Sequence, residues 1–347
     1  NIEFDTFHAD EKVSNVFRIH TITKEKDGKT SKDCQAPLVM SPIAAHELAG
    51  IVKYTRFLYG SGSLRYEDKS NTEGLAFADS SFFDMFDFPL VSGSHKFFKD
   101  KNSIFLTEEF AKKYFGNDDP TGKLMVLNSV NESEIELLVG GVVKKFPLNN
   151  TFNFQGIIRI ENYTDIHKIS DSDWADWRNP STFMALTPGA DAKQISSQFS
   201  KYIPVRNEKR TDVVVESYIL EPFKSRYNQN DIRASWVTHR MSPEPLIIFS
   251  SMAFIILLIA CFNLTNTSIA MTAKRLKEVG VRKAIGAGRS QIISQFLFET
   301  LLTITLSLVV GWLLAQIIVP AFSSMWNLPY GLNDMNGLNL FIALIIL

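Results

Sequence analysis

Residues 245–273 carry no charged side chain, and the centre of this stretch reads Leu246-Ile-Ile-Phe-Ser-Ser-Met-Ala-Phe-Ile-Ile-Leu-Leu-Ile-Ala260. At about 1.5 Å per helical residue, the stretch is long enough to cross roughly 30 Å of hydrocarbon. A second uncharged stretch covers residues 300–333, apolar from 301 to 319, with Pro320 predicted to stop its helix. Two membrane spans are expected. Between them, Lys274-Arg-Leu-Lys-Glu-Val-Gly-Val-Arg-Lys-Ala-Ile-Gly-Ala-Gly-Arg-Ser290 holds six basic residues and a single acid, Glu278. Short loops rich in Lys and Arg stay on the cytoplasmic side, so residues 1–244 are expected outside. Residues 320–337, with Trp326 and Tyr330 at interfacial depth, read as an outer loop, and the apolar run 338–347 as the beginning of a third span. The chain opens at Asn1 without a basic-then-apolar leader and closes inside that run, so the expectation is a piece of a longer polypeptide with an earlier helix before residue 1.

The outer part alternates differently. Residues 16–23 read as a strand, Ser41 and Pro42 as the N-cap and first position of a short helix, and residues 51–58 as a strand. A second β-α-β unit follows late: strand 183–187, a capping box at Asp191 and Gln194 opening a helix to about Tyr202, and strand 213–220. Two such units in series predict a split β-α-β layer, with residues 72–175 inserted between them. The insert predicts a helix at 80–86 with a serine cap, and a helix capped by Thr107 and stopped by Gly116. A turn at 119–122 precedes strands at 124–127, 135–143 and 152–160. The expected fold class is an α+β extracytoplasmic domain joined to transmembrane α-helices.

Charge sharpens the division. Residues 1–244 carry 30 basic and 34 acidic side chains, residues 245–347 only 6 and 3, and the whole chain nets −1, which gives no electrostatic case for nucleic acid. Two cysteines, Cys34 and Cys261, make no disulfide framework. A Walker A loop is absent, so phosphates are not cradled by that route. The six histidines are scattered, His46-Glu47 lacks the second histidine of a metalloprotease helix, and Gly60-Ser-Gly-Ser63 is not a nucleophile elbow. Glu108-Glu109 and Asp118-Asp119 fit a helix start and a turn. Acceptor triplets for glycosylation occur at Asn131, Asn149 and Asn162. No enzyme, cofactor or metal site is expected.

In the basic loop, Leu276, Val279 and Ile285 are predicted to form a narrow apolar stripe, with Arg275, Lys277, Arg282 and Lys283 wet. Gly286 and Gly288 break that helix, and Ser290 caps the next. On the residues alone, an ordinary positive-inside loop and a short docking helix transverse to the membrane stand level. The string from Lys274 to Glu299 resembles the signature of the FtsX/MacB-type ABC transporter permeases, an Arg-x-Lys-Glu-x-Gly-x-Arg-Lys-x-x-Gly-Ala core matched at Arg275, Lys277, Glu278, Gly280, Arg282, Lys283, Gly286 and Ala287. In the outer part, Phe4-Asp-Thr-Phe-His8, Asp79-Ser-Ser-Phe-Phe-Asp-Met-Phe86, residues 106–116 with 119–123, Val139-Gly-Gly-Val-Val143 and Phe146-Pro147 resemble the MacB-like periplasmic core domain, in the form seen in Bacteroidota.

The resemblance implies a porter-like subdomain at 1–71 and 176–225, an inserted subdomain at 72–175, and a stalk at 226–244. It further implies a span at 245–273, a cytoplasmic coupling segment at 274–295, a span at 296–319, an outer loop at 320–337 and a truncated span at 338–347. It implies an inner-membrane permease that pairs as a homo- or heterodimer among membrane lipid, driven by a cytoplasmic ABC ATPase on a separate chain or region, with a periplasmic adaptor or cargo outside. The charge-free spans, whose polar cluster is Asn263, Thr265, Asn266 and Thr267, favour mechanical transmission over a hydrophilic pore. The alternative is an FtsX-like regulator of a periplasmic partner such as a cell-wall hydrolase.

Overall fold

The computed structural model describes residues 5, 7–24, 28–128, 134–147, 150–170, 173–175, 179–224, 237 and 243–325. They belong to two compact units, Asn1–Ser242 and Pro243–Leu347. The first unit begins with α1 (Asp10–Val13), β1 (Val16–Lys24), β2 (Thr30–Asp33), α2 (Met40–Glu47), β3 (Ile51–Tyr66) and β4 (Lys69–Ala78). It continues through α3 (Phe82–Met85), β5 (Leu90–Gly93), β6 (Ser103–Thr107), α4 (Glu108–Phe115), β7 (Leu124–Asn128), β8 (Glu134–Val143) and β9 (Gly156–Arg159). It closes with α5 (Ile160–His167), β10 (Ser181–Leu186), α6 (Ala192–Gln198), α7 (Ile203–Lys209) and β11 (Val214–Pro222).

The strands form one sheet in the order β11-β1-β10-β3-β4-β9-β6-β8-β5, with β2 on β1 and β7 bridging β3 and β8. The antiparallel strand β10 lies between β1 and β3, which α2 connects, while β1 lies between β10 and β11. Each β-α-β unit thus straddles a strand of the other. Period-two alternation sorts the side chains of the central strands to two buried faces. Phe57, Ala76, Phe105 and Ile157 pack in one cluster, and their chain neighbours Leu58, Leu75, Leu106 and Ile158 in the other. The first face is a phenylalanine core, with Phe82 and Phe152 edge to face at 5.0 Å.

Several local expectations change. Helix α2 begins at Met40, so Ser41 sits inside it rather than at its cap. Helix α3 covers only 82–85, and the serine before it, Ser81, donates its hydroxyl to the Tyr54 carbonyl instead of capping. Strand β9 covers only 156–159, and Ile160 already opens α5. Asn162 is buried, with its amide donating to the Lys101 carbonyl at 2.7 Å, so this triplet is closed to a glycan; Asn131 and Asn149 lie outside the described residues. Thr107 does cap α4, accepting from the Phe110 N–H at 3.3 Å, and Gly116 ends it at φ +65°. Asp191 likewise accepts from the Lys193 N–H at 2.8 Å.

The segment 8–16 meets residues 223–224. The Phe223 N–H donates to the Val16 carbonyl at 2.8 Å, Lys224 pairs with Asp10, and the His8 ring lies 5.9 Å from that of Phe223.

The second unit consists of α8 (Pro243–Ala284) and α9 (Arg289–Met325). Ile247–Met271 in α8 and Arg289–Ile318 in α9 are long and apolar enough to cross a membrane. Helix α9 runs through Pro320, so the predicted stop there is wrong. The outer loop from 326, with Trp326 and Tyr330, and the third span at 338–347 lie outside the described residues, as do His239 and all of the stalk up to 242 except Val237.

Candidate functional site

The motif residues lie where α8 turns into α9. Helix α8 does not end with its apolar segment. It continues unbroken from Met271 to Ala284, which extends it by about 20 Å at 1.5 Å per residue. A separate docking helix transverse to the span is therefore not what forms; the basic residues ride on the same rod as the span. Gly280 sits within it, exposed, and a methyl group there would meet nothing within 4 Å.

The rod ends in a Schellman motif. The Ala287 N–H donates to the Arg282 carbonyl at 3.0 Å and the Gly286 N–H to that of Lys283 at 3.1 Å. This closure places Gly286 at φ +98°, where a side chain is strained. Helix α9 starts at Arg289. Its first turn is held by the Gln291 carboxamide, which accepts from the Gly288 N–H at 3.2 Å, so Ser290 is not the cap. The expected apolar stripe also fails. Ile285 lies beyond the helix end and is 82% exposed, and nine steps of about 100° put Leu276 on the opposite side from it.

Across the corner a polar network joins the two helices. Arg275 pairs with Glu299 at 2.5 Å, and its guanidinium lies 5.7 Å from the Phe296 ring centroid. Arg282 donates to Gln295 at 2.6 Å and to Glu278 at 2.5 Å, and Gln295 donates to Glu299 at 3.3 Å. The motif thus divides by task. Arg275 and Arg282 hold α8 to α9, Glu278 steadies Arg282 from one turn back on α8, and Gly286 and Ala287 make the turn. Lys277 and Lys283 are exposed and make no hydrogen bond or ion pair among the described residues. Glu299, Gln295 and Phe296 were missed as site residues, because nothing in a linear pattern says that a residue 24 positions away is a partner.

Within the spans, Thr265, Thr300 and Thr303 donate to the carbonyls of Cys261, Phe296 and Glu299, four residues back on their own helices. Thr265 therefore spends its hydroxyl internally. Asn263 and Asn266 make no hydrogen bond among the described residues.

Comparison with known proteins matches the two units separately. The family model for the MacB-like periplasmic core domain covers residues 3–202, and that for the FtsX-like permease C-terminal region covers residues 250–347. The chain belongs to the FtsX/MacB-like ABC transporter permeases. The macrolide export ATP-binding/permease protein MacB of Neisseria meningitidis is 24% identical over 267 residues, covering 75% of this chain and 38% of that protein. Its counterpart in Vibrio parahaemolyticus is 23% identical over 295 residues, covering 81% and 40%. The permease chain therefore spans about two fifths of the length of these curated relatives. Among solved structures, a domain of a permease protein from Porphyromonas gingivalis is similar at a TM-score of 0.49 and 19% identity, covering 68% of this chain and 98% of that one. The periplasmic region of MacB from Actinobacillus actinomycetemcomitans is similar at a TM-score of 0.39 and 14% identity, covering 60% and 91%.

Proposed function

We propose that this permease is the non-catalytic membrane subunit of an ABC transporter and passes the motion of a cytoplasmic ATPase, carried on another chain or region, to its periplasmic core domain. The observation that carries the reading is the α8–α9 corner. A helix that outruns its own apolar segment, tied to its neighbour by Arg275, Arg282, Gln295 and Glu299, moves as one piece when pushed at its end. Lys277, Lys283 and the bare backbone at Gly280 form the contact surface for the ATPase. The permease sits in the inner membrane as a multi-pass protein with the basic corner inside, a reading that its Lys and Arg distribution supports. It works as a homo- or heterodimer, for which Asn263 and Asn266, three residues apart on one face of α8, supply hydrogen-bonding groups that hydrocarbon would leave unmet. The interleaved β-α-β units are the porter-like part of the core domain, which engages an adaptor or cargo outside; efflux and lipoprotein or peptide handling are the activities this arrangement serves.

The test is reconstitution of the full-length permease with its ATPase in vesicles. Glu278→Lys places a second positive charge beside Arg282 and removes the acceptor of its Nη2. ATP hydrolysis is expected to lose its dependence on the permease while near-ultraviolet circular dichroism stays that of the parent. Hydrolysis still coupled as in the parent would reject the role of the corner.

A further inference from the structure

A cavity of 120 Å³ lies between α7 and the ends of β1, β2 and β11, lined by Thr21, Thr23, Asp33, Arg206, Arg210 and Tyr218 among others. Its walls are fixed. The Asn207 carboxamide donates to the Val215 carbonyl and accepts from the Val215 N–H, both at 2.9 Å, which pins α7 to β11 and keeps the space from collapsing.

Arg206 is 3% exposed. A guanidinium has five N–H donors, and this one makes a single hydrogen bond among the described residues, from Nη1 to the Arg210 carbonyl at 3.2 Å. No carboxylate pairs with it there. Arg210 is gripped by Asp212, with Nε to Oδ1 at 3.0 Å, and Asp33 has a partner of its own. The Tyr218 hydroxyl is also buried and makes no hydrogen bond among the described residues. A buried cation with no carboxylate in contact among the described residues and a buried donor without an acceptor there each cost free energy, and both line one polar space. What the two lack is the same: acceptor oxygen bearing negative charge. Burial and the neighbouring Arg210 also push the Arg206 guanidinium below its ordinary ionisation range, against the smaller opposing influence of Tyr218 and Asp212.

We infer that this cavity is a binding site for a small oxyanion of the phosphate, sulfate or carboxylate class, with Arg206 as the charged anchor and the Tyr218 hydroxyl as second donor. The volume, roughly that of four waters at about 30 Å³ each, is enough for the oxyanion group itself. It comes either as a free inorganic ion or as the carboxylate end of a peptide reaching in.

Thermal unfolding of the full-length permease in detergent, followed by tryptophan fluorescence, tests this with sodium phosphate, sulfate, acetate and a short peptide with a free C-terminus, each against chloride at constant ionic strength. A binding oxyanion raises the melting temperature by about 5 °C at a hundredfold excess over its dissociation constant. Arg206→Met, which places an apolar chain where an unpaired charge was buried, is expected to fold and to lose that rise. Tyr218→Phe keeps the packing and weakens binding about tenfold, the loss of one charge-assisted hydrogen bond. A response to phosphate and sulfate alone identifies a free tetrahedral ion, and one to acetate and peptide a carboxylate terminus. Equal melting in all salts, or an undiminished rise in both variants, overturns the site. Calorimetric titration of the parent with phosphate and with the peptide decides the matter should Arg206→Met not fold.

Discussion

Removing the carboxylate of Asp79 should cost the core domain more than any exposed charge would. Asp79 and Arg56 are 6% and 8% exposed. Oδ2 of Asp79 accepts from the Arg56 backbone N–H at 2.6 Å and from Nε at 2.9 Å, Oδ1 accepts from Nη2 at 2.6 Å, and Nη1 donates to the Leu38 carbonyl at 2.9 Å. Burial alone would make Arg56 easier to deprotonate, but the Asp79 charge outweighs it and holds the guanidinium above its ordinary range. Asp79→Ala leaves a buried cation unpaired and a strand N–H unmet, for a loss of about 3–5 kcal/mol. For a unit of this size that is a fall in melting temperature of about 10 °C. The assay is urea unfolding of the full-length permease in detergent, followed by tryptophan fluorescence. The second arm is Arg56→Met combined with Asp79→Asn, which keeps an acceptor for the N–H and removes the charge. It should recover about 2 kcal/mol over Asp79→Ala. The reasoning is refuted if Asp79→Ala costs under about 1 kcal/mol, or if the double variant is no more stable than the single.

Two further outcomes follow from the same geometry. Burial among Phe7, Phe86 and Phe88 lowers the pKa of His8 to about 4, while its Nδ1 accepts from the Asp87 N–H at 3.0 Å. The unfolded chain therefore binds the extra proton first, so stability is whole above pH 6.5 and falls by about 3 kcal/mol as the pH drops toward 4. Unfolding measured across that window should show the slope, and His8→Asn should flatten it. At the helix corner, Gly286→Ala forces a side chain into the left-handed region at a cost of about 1–2 kcal/mol, so amide exchange over residues 284–289 should quicken about tenfold. Gly288→Ala, outside that region, should leave exchange unchanged.

How far the chain could be read in advance depended on how local the cause was. The two spans, the Thr107 cap, the Gly116 stop and the Asp191 cap are written in contiguous residues. Strand β6 was not assigned, since both its faces are buried and Ser103-Ile-Phe-Leu-Thr107 shows no alternation. Ser41 looked like a cap, but Met40 begins α2 on the strength of its burial in the core. Pro320 looked like a stop, yet the helix runs through it. The motif at the corner was visible as a string of residues; its division into a clamp, a turn and an exposed pair was not, because Gln295 and Glu299 enter from the other helix. The pairing of Arg56 with Asp79, 23 residues apart, was hidden for the same reason.

The zipper between residues 8–16 and 221–224 sets where a pull on those two segments would act. With Val16 bonded to Phe223 and Asp10 to Lys224, the two segments lie side by side at one end of the antiparallel β1–β11 ladder. Pulled apart, they would open that ladder from its end, one hydrogen bond after another.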